Sequence, residues 1–353
     1  MKFVHIADMH FDKPFTILEK NKLTENRRLE QRNAFNKMIE YIKENNIDYL
    51  FIAGDLYEHE YIRNSTIEYI NQKFKEIENT TKVFISPGNH DPYINNSYYN
   101  KFEWNKNVKI FTNLEKIEEQ DINIYGYGFT DFSSNEVELP QNLDKSKINI
   151  LLMHADLNGS TKNVGTHNPI LETTLKNSEF NYIALGHIHK RNMQNLQMVY
   201  PGSMIAGGFD ELGKHGMIEG EINTQTKEIN IKFISLDNKE FKKENMDISD
   251  ILSVEELIEK INNSERDENK YYEYVLTGNR NMEVTANDII KQIEDKKIIK
   301  IKDESKIRYN LEEISKESTL KGIFVRELLN QIEDDESNKE EKMRIIEIGL
   351  NAM

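Results

Sequence analysis

Five short apolar segments of this 353-residue chain end in polar clusters of one character, and that repetition constrains the fold more than any other feature. FVHIA runs into Asp8, Met9 and His10, and YLFIA into Gly54 and Asp55. VFIS meets Pro87, Gly88, Asn89, His90 and Asp91; NILLM meets His154; YIAL meets Gly186, His187, Ile188 and His189. Short runs rich in Ile, Val, Phe, Tyr and Leu read as buried strands. In an open α/β sheet, side chains just beyond the carboxyl ends of strands face one crevice.

Strands are expected at Phe3 to Ala7, Tyr49 to Ala53, Val83 to Ser86, Val108 to Phe111, Asn123 to Tyr127, Asn149 to Met153 and Tyr182 to Leu185. Between the first three, Leu29, Ala34, Phe35, Met38, Ile39 and Ile42, and then Ile67, Ile70, Phe74 and Ile77, fall at helical spacing. Alternating strands and amphipathic helices specify a layered α/β domain. Met198 to Tyr200, Met217 to Ile222 and Ile229 to Ile234 read as antiparallel strands closing it. The polar stretch DNKEFKKENMD, Asp237 to Asp247, has no apolar period and reads as a boundary. The expected domains are 1–236, a small α+β unit over 248–310, and a helical tail over 318–353. The α+β unit comprises helices at Ile251 to Ile261 and Ala286 to Ile293 and strands at Tyr271 to Leu276 and Ile298 to Ile301. The tail has two stripes, Phe324, Leu328, Leu329, Ile332 and Met343, Ile346, Leu350, Met353, with the acidic run Glu333 to Glu336 between them.

Composition removes competing chemistries. With no cysteine there is no disulfide framework, thiolate nucleophile or Cys-based zinc site. No apolar run approaches the roughly 18 residues that suggest a membrane span, and the start has no room for a secretory h-region, so a cytoplasmic protein is expected. The formal net charge is −15, most of the excess acid lying beyond residue 236. Such a balance is unfavourable for nucleic-acid binding driven by phosphate neutralisation.

The donors gathered at the strand ends are Asp8, His10, Asp55, Asn89, His154, His187 and His189. Mixed nitrogen and oxygen donors without sulfur suit Mn, Fe, Ni or Zn better than Ca or Mg. Seven exceed what one catalytic ion with an open position needs, whereas two ions sharing a carboxylate would use them all. Such a pair clamps the attacking and leaving oxygens of a phosphoryl displacement. Taken singly, Asp-x-His, Gly-Asp or Gly-His-x-His is an ordinary turn or loop; coincidence at five successive strand ends is not. His5 reads as a core residue; His59, His167 and His215 read as loop histidines, His59 near enough to Asp55 to reach the site edge.

In order, Asp8-x-His10, Gly54-Asp55, Gly88-Asn89-His90-Asp91, His154 and Gly186-His187-x-His189 resemble the five motifs of the calcineurin-like metallophosphoesterase superfamily, over roughly residues 1 to 210. The opening HIADMHFDKPF is similar to the YhaO-like branch of the bacterial DNA repair exonucleases related to SbcD. Tyr200-Pro201-Gly202-Ser203 with Phe209-Asp210-Glu211, and the closing KGIFVRELL and IIEIGLNAM, extend that resemblance.

The resemblance implies a four-layer α/β/β/α sandwich with a small α+β cap and a helical C-terminal tail. It implies two divalent ions, Mn first, with Asp8, His10 and His189 on one, Asn89, His154 and His187 on the other, and Asp55 bridging. His90 would stabilise the transition state or protonate the leaving oxygen, and Asp91 would either orient His90 or simply shape the turn. The implied activity is 3′ to 5′ exonucleolytic cleavage of DNA with some single-strand endonuclease action. The implied partners are DNA, an ABC-type coiled-coil ATPase bound through the tail helices, and a second copy of the chain; packing on the cap is the other reading of those helices. A phosphatase or small phosphodiesterase on the same fold, and a catalytically silent scaffold subunit of an ATPase, are the alternatives. GGFDELGKHG carries no Arg, and no dense Lys/Arg stripe marks the first domain, so a partner is expected to supply much of any DNA affinity.

Overall fold

The computed structural model describes residues 1–20, 22–159, 166–280, 285–334 and 336–353. Its elements fall into two compact units, Met1–Lys242 with Asp267–Tyr272, and Lys243–Arg266 with Glu273–Met353.

The first unit begins β1 (Lys2–Ile6), α1 (Thr24–Glu44), β2 (Tyr49–Ile52), α2 (Asn64–Lys75), β3 (Lys82–Ile85), α3 (Tyr98–Lys101), β4 (Val108–Ile110), β5 (Glu115–Glu118), β6 (Ile122–Tyr127) and β7 (Ile148–His154). It continues through β8 (Asp156–Leu157), β9 (Pro169–Ile170), α4 (Glu172–Lys176), β10 (Tyr182–Gly186), β11 (Met198–Val199), β12 (Gly216–Ile222) and β13 (Ile229–Ser235). One sheet has the order β13-β12-β1-β2-β3-β4, with β1 to β4 parallel and β12 antiparallel to both its neighbours. The other has the order β11-β10-β7-β6-β5, parallel except at β5.

The sheets meet face to face. Phe3, Phe51, Phe84 and Phe111 pack with Ile124, Ile150, Leu152 and Tyr182 in one buried cluster. Helices α1 and α2 supply Ala34, Phe35, Met38, Ile39 and Ile42, and Ile67, Ile70 and Phe74, as buried stripes. A further cluster joins Leu151, Met153, Ile183 and Leu185 to Leu175 of α4 and to Phe180. The inner strands β1, β2, β3, β7 and β10 are buried on both faces, hence their continuous apolar character. This is the mixed α/β layering expected.

Three local expectations change. Leu29 is exposed, and Arg27 and Gln31 take the inward positions at that end of α1. β11 pairs parallel with β10, so only β12 and β13 close the domain in antiparallel fashion. The stretch read as a boundary holds the division between the units, after Lys242, yet it is not irregular: it contains β14 (Glu240–Asp247), whose polar side chains alternate about a single buried Phe241.

The second unit contains α5 (Val254–Asn263), β15 (Lys270–Thr277, entering from the first unit), β16 (Asn279–Arg280), α6 (Ala286–Gln292), β17 (Ile298–Asp303), β18 (Lys306–Ile307), α7 (Leu311–Lys316), α8 (Leu320–Asp334) and α9 (Lys339–Ala352). β14, β15 and β17 form one sheet. In the tail, Val325, Ile332, Ile346 and Leu350 are buried together, while Met343 and Met353 stay exposed. Asp335 of the acidic run lies outside the described residues. Among the described residues, no helix is long and apolar enough to cross a membrane.

Candidate metal centre

The strand-end segments are tied to one another before any side chain is considered. Asp8 N–H donates to the Gly54 carbonyl (3.1 Å) and His10 N–H to the Asp55 carbonyl (2.8 Å). Gln31, from α1, donates to the carbonyls of Met9 (2.6 Å) and His10 (3.1 Å). Asp8, His10, Asp55 and His187 all have positive φ, at 51°, 49°, 53° and 100°. Non-glycine residues in that region cost of order 1–3 kcal/mol each and cluster at functional sites. Gly54, at φ 85°, must lack a side chain for a second reason: a Cβ there would lie 2.3 Å from His154 Nδ1.

Ligand-capable atoms of Asp8, His10 and His189 lie within 4.8 Å of one another, as do those of Asp8, Asp55 and His154 and of His10, Asp55 and His90. Asp55 Oδ2 stands 3.7 Å from His10 Nε2 and 3.4 Å from His154 Nε2. Nε2 of His10 and His189 are 3.0 Å apart. His154 Nε2 is 3.0 Å from Asn89 Oδ1, and its Nδ1 is held by the Ala53 carbonyl at 2.9 Å. His187 joins differently: its N–H donates to Asp8 (3.0 Å), and its ring lies 5.1 Å from that of His154, outside the three groups.

Asp8, Asp55 and His154 are almost completely buried. Burial pushes the Asp8 carboxyl up, with His189 opposing and Asp55 adding to the rise. Burial acts the same way on Asp55, but His154, His10 and His90 hold it down. Burial lowers the pKa of His10 and of His154, and brings that of His187 down to about 3. Two buried carboxylates set among imidazoles form a nitrogen and oxygen donor set that divalent cations fit.

His90 sits at the rim, its side chain 45% exposed. Its Nδ1 is 2.9 Å from Glu58 Oε2, and that hydrogen bond raises its pKa to about 9 against the opposing effect of burial. Glu58 Oε1 lies 2.9 Å from His10 Nδ1. Of the two roles expected of Asp91, orienting His90 or shaping the turn, the contacts match the second. Its carboxylate accepts from the N–H groups of Asp55, Gly88 and Leu56 and from Tyr99 Oη, so it shapes the loop beneath the site.

Glu211 is the counterpart of Glu58 on the other side. Oε1 lies 2.7 Å from His189 Nδ1, and Oε2 accepts from Ser203 Oγ (2.7 Å) and Gly207 N–H (2.9 Å). Glu58 and Glu211 are therefore supporting residues that strand-end reading missed; the sequence signals were the place of Glu58 three residues after Asp55 and that of Glu211 within the Phe209-Asp210-Glu211 segment. His5 is buried with Nδ1 3.0 Å from Tyr182 Oη, as a core residue should be. His59 contributes its N–H to the His90 carbonyl, while its ring faces Phe132. His167 and His215 lie outside the helices and strands, as expected, but are not free in solvent: the His167 ring lies 5.0 Å from that of His187, and His215 is buried against Ser203 and the Glu211 carbonyl.

A family model described as calcineurin-like phosphoesterase matches residues 1–191. The SbcD component of the nuclease SbcCD from Staphylococcus epidermidis is 27% identical over 252 residues, which cover 61% of this chain and 64% of that protein. The uncharacterized metallophosphoesterase YhaO of Bacillus subtilis is 25% identical over 231 residues, 61% of this chain and 56% of that protein. The chain thus spans less than two thirds of the length of either relative.

Proposed function

The chain belongs to the calcineurin-like phosphoesterase family, and from that premise we propose that it is a DNA phosphodiesterase working with two divalent ions, Mn first among them. Asp8, His10 and His189 would hold one ion, Asn89, His154 and His187 the other, and Asp55 would lie between. Bound there, the ions would neutralise phosphate charge and acidify a water molecule. The observation that carries the reading is Asp55, whose single Oδ2 lies within 3.7 Å of a member of each ligand set.

The chain's own residues supply the rest. His90, exposed at the rim and tied through Nδ1 to Glu58, would use Nε2 to deliver its proton to the leaving oxygen. Glu211 fixes the ring of His189, as carboxylates commonly do for metal-binding imidazoles. DNA is preferred over other phosphoesters because the staphylococcal relative is named as part of a nuclease. The α+β segment 248–310 would serve as a cap, and the tail 318–353 as the docking element for a coiled-coil ABC-type ATPase. Assembly as a homodimer in the cytoplasm, with exonucleolytic action from 3′ ends, completes the proposal. The acidic balance favours a second reading, a phosphatase or small phosphodiesterase.

A panel of linear duplex, single-stranded DNA, a simple phosphodiester and a phosphomonoester, with Mn and with chelator, tests the choice. Release of nucleotides from DNA with Mn alone is the expected result. Hydrolysis confined to the small esters moves the protein to the second reading, and inactivity on every substrate rejects both.

A further inference from the structure

A cavity of about 350 Å³ adjoins the metal centre on the side of Glu58 and Glu211. Its volume falls in the range of small-ligand pockets, about 300–1,000 Å³. Lys13, Phe15, Gly207 and Glu211 line both this cavity and the small space that Asp8, His10 and His189 enclose, so the two share a wall.

The wall chemistry is specific. Lys13 is half-buried, and its positive charge acts on both His10 and His189. Among the described residues it forms no ion pair, because Glu58 is engaged by His10 and His90, and Glu211 by His189 and Ser203. Tyr61 lines the cavity with its side chain half exposed, and its N–H donates to the Glu58 carbonyl (3.0 Å), which fixes the aromatic residue beside the site. Ile17 adds aliphatic surface. Two glycines keep the space open. A Cβ at Gly207 would sit 2.9 Å from Glu211 Oε1 and 3.4 Å from Lys13 Nζ, and one at Gly208 would sit 3.0 Å from Asp210 Oδ1. Phe15 reaches its place only by adopting φ 37°.

A cation where the cavity meets the metal centre, followed by aromatic and aliphatic wall, matches a phosphate followed by a base. We propose that this cavity is the subsite for the terminal nucleoside of the strand, with Lys13 on the scissile phosphate and Tyr61 on the base, an inference that rests on the phosphodiesterase reading. Stacking on an aromatic ring accepts any base. Asp210, exposed on the same lining, repels a second phosphate, so the subsite takes a strand end in preference to a continuing backbone.

The test compares thymidine 5′-(p-nitrophenyl phosphate) and thymidine 3′-(p-nitrophenyl phosphate) with methyl p-nitrophenyl phosphate, all with Mn, together with calorimetric binding of thymidine 5′-monophosphate to the full chain. Wild type is expected to prefer one thymidine ester to the methyl ester by at least tenfold in kcat/KM. Tyr61→Ala and Gly208→Val should each reduce that ratio tenfold, and Tyr61→Phe should restore it. Nucleotide binding should weaken in parallel in the first two variants. Equal kcat/KM for all three esters, or a ratio unmoved by Tyr61→Ala and Gly208→Val, overturns the subsite while leaving the phosphodiesterase reading intact. If no ester is cleaved but thymidine 5′-monophosphate binds wild type and not Gly208→Val, the reaction fails and the subsite stands. Absence of both hydrolysis and binding rejects both.

Discussion

Glu58 Oε2 lies 2.9 Å from His90 Nδ1, and the same carboxylate reaches His10 Nδ1 with its other oxygen, also at 2.9 Å. One side chain thus sets the ring orientation of the exposed imidazole and of a candidate ligand. Glu58→Gln keeps the shape but removes the charge that holds the His90 proton. Steady-state kinetics should show a fall of about 10–100-fold in kcat, the range found for partners of functional imidazoles. Unchanged kcat would mean that Glu58 only packs.

His90 itself should be separable from metal binding. His90→Ala is expected to retain bound metal and to lose about 10²–10⁴-fold in turnover, the usual contribution of a positioned acid. Metal analysis of the purified variant decides the assignment, since loss of metal would make His90 a ligand.

Gly54 lies under His154. A methyl group at φ 85°, 2.3 Å from the imidazole Nδ1, forces either the backbone or the ring to move. Gly54→Ala should cost about 1–3 kcal/mol in urea denaturation and weaken Mn binding. A variant with wild-type stability and metal affinity would show that the close approach is unimportant.

Arg27 and Asp237 support the opposite side of the centre. Arg27, with no exposed surface, donates to Asp237 Oδ1 (2.9 Å) and to the Ala206 carbonyl (2.8 Å), and Asp237 accepts from Ala206 N–H (3.0 Å). This clamps the residue that precedes Gly207, whose N–H binds Glu211. Asp237→Ala leaves a buried guanidinium without its main partner and should destabilise by about 3–5 kcal/mol. Equilibrium unfolding measures that loss directly.

Much of the site was legible because its residues follow strands immediately, so chain order alone gathered Asp8, Asp55, His154 and His187. Side chains that act through space were not. Glu58 and Glu211 each lie in a loop, and only folding brings Glu211 to His189, 22 residues away in sequence. Asp91 illustrates the converse, since adjacency to His90 suggested a partnership that backbone N–H groups pre-empt. The missed strands share a cause: EKIE of β5 and EFKKENMD of β14 carry one aliphatic or aromatic core residue or few, because one face is left to solvent.

The most direct test of a two-ion centre is metal content after equilibration with Mn and removal of free ion, measured by plasma mass spectrometry on wild type and Asp55→Ala. Two ions per chain in wild type and at most one in Asp55→Ala are predicted. A wild-type chain that retains none, or an Asp55→Ala variant that still retains two, would contradict the centre built around Asp55.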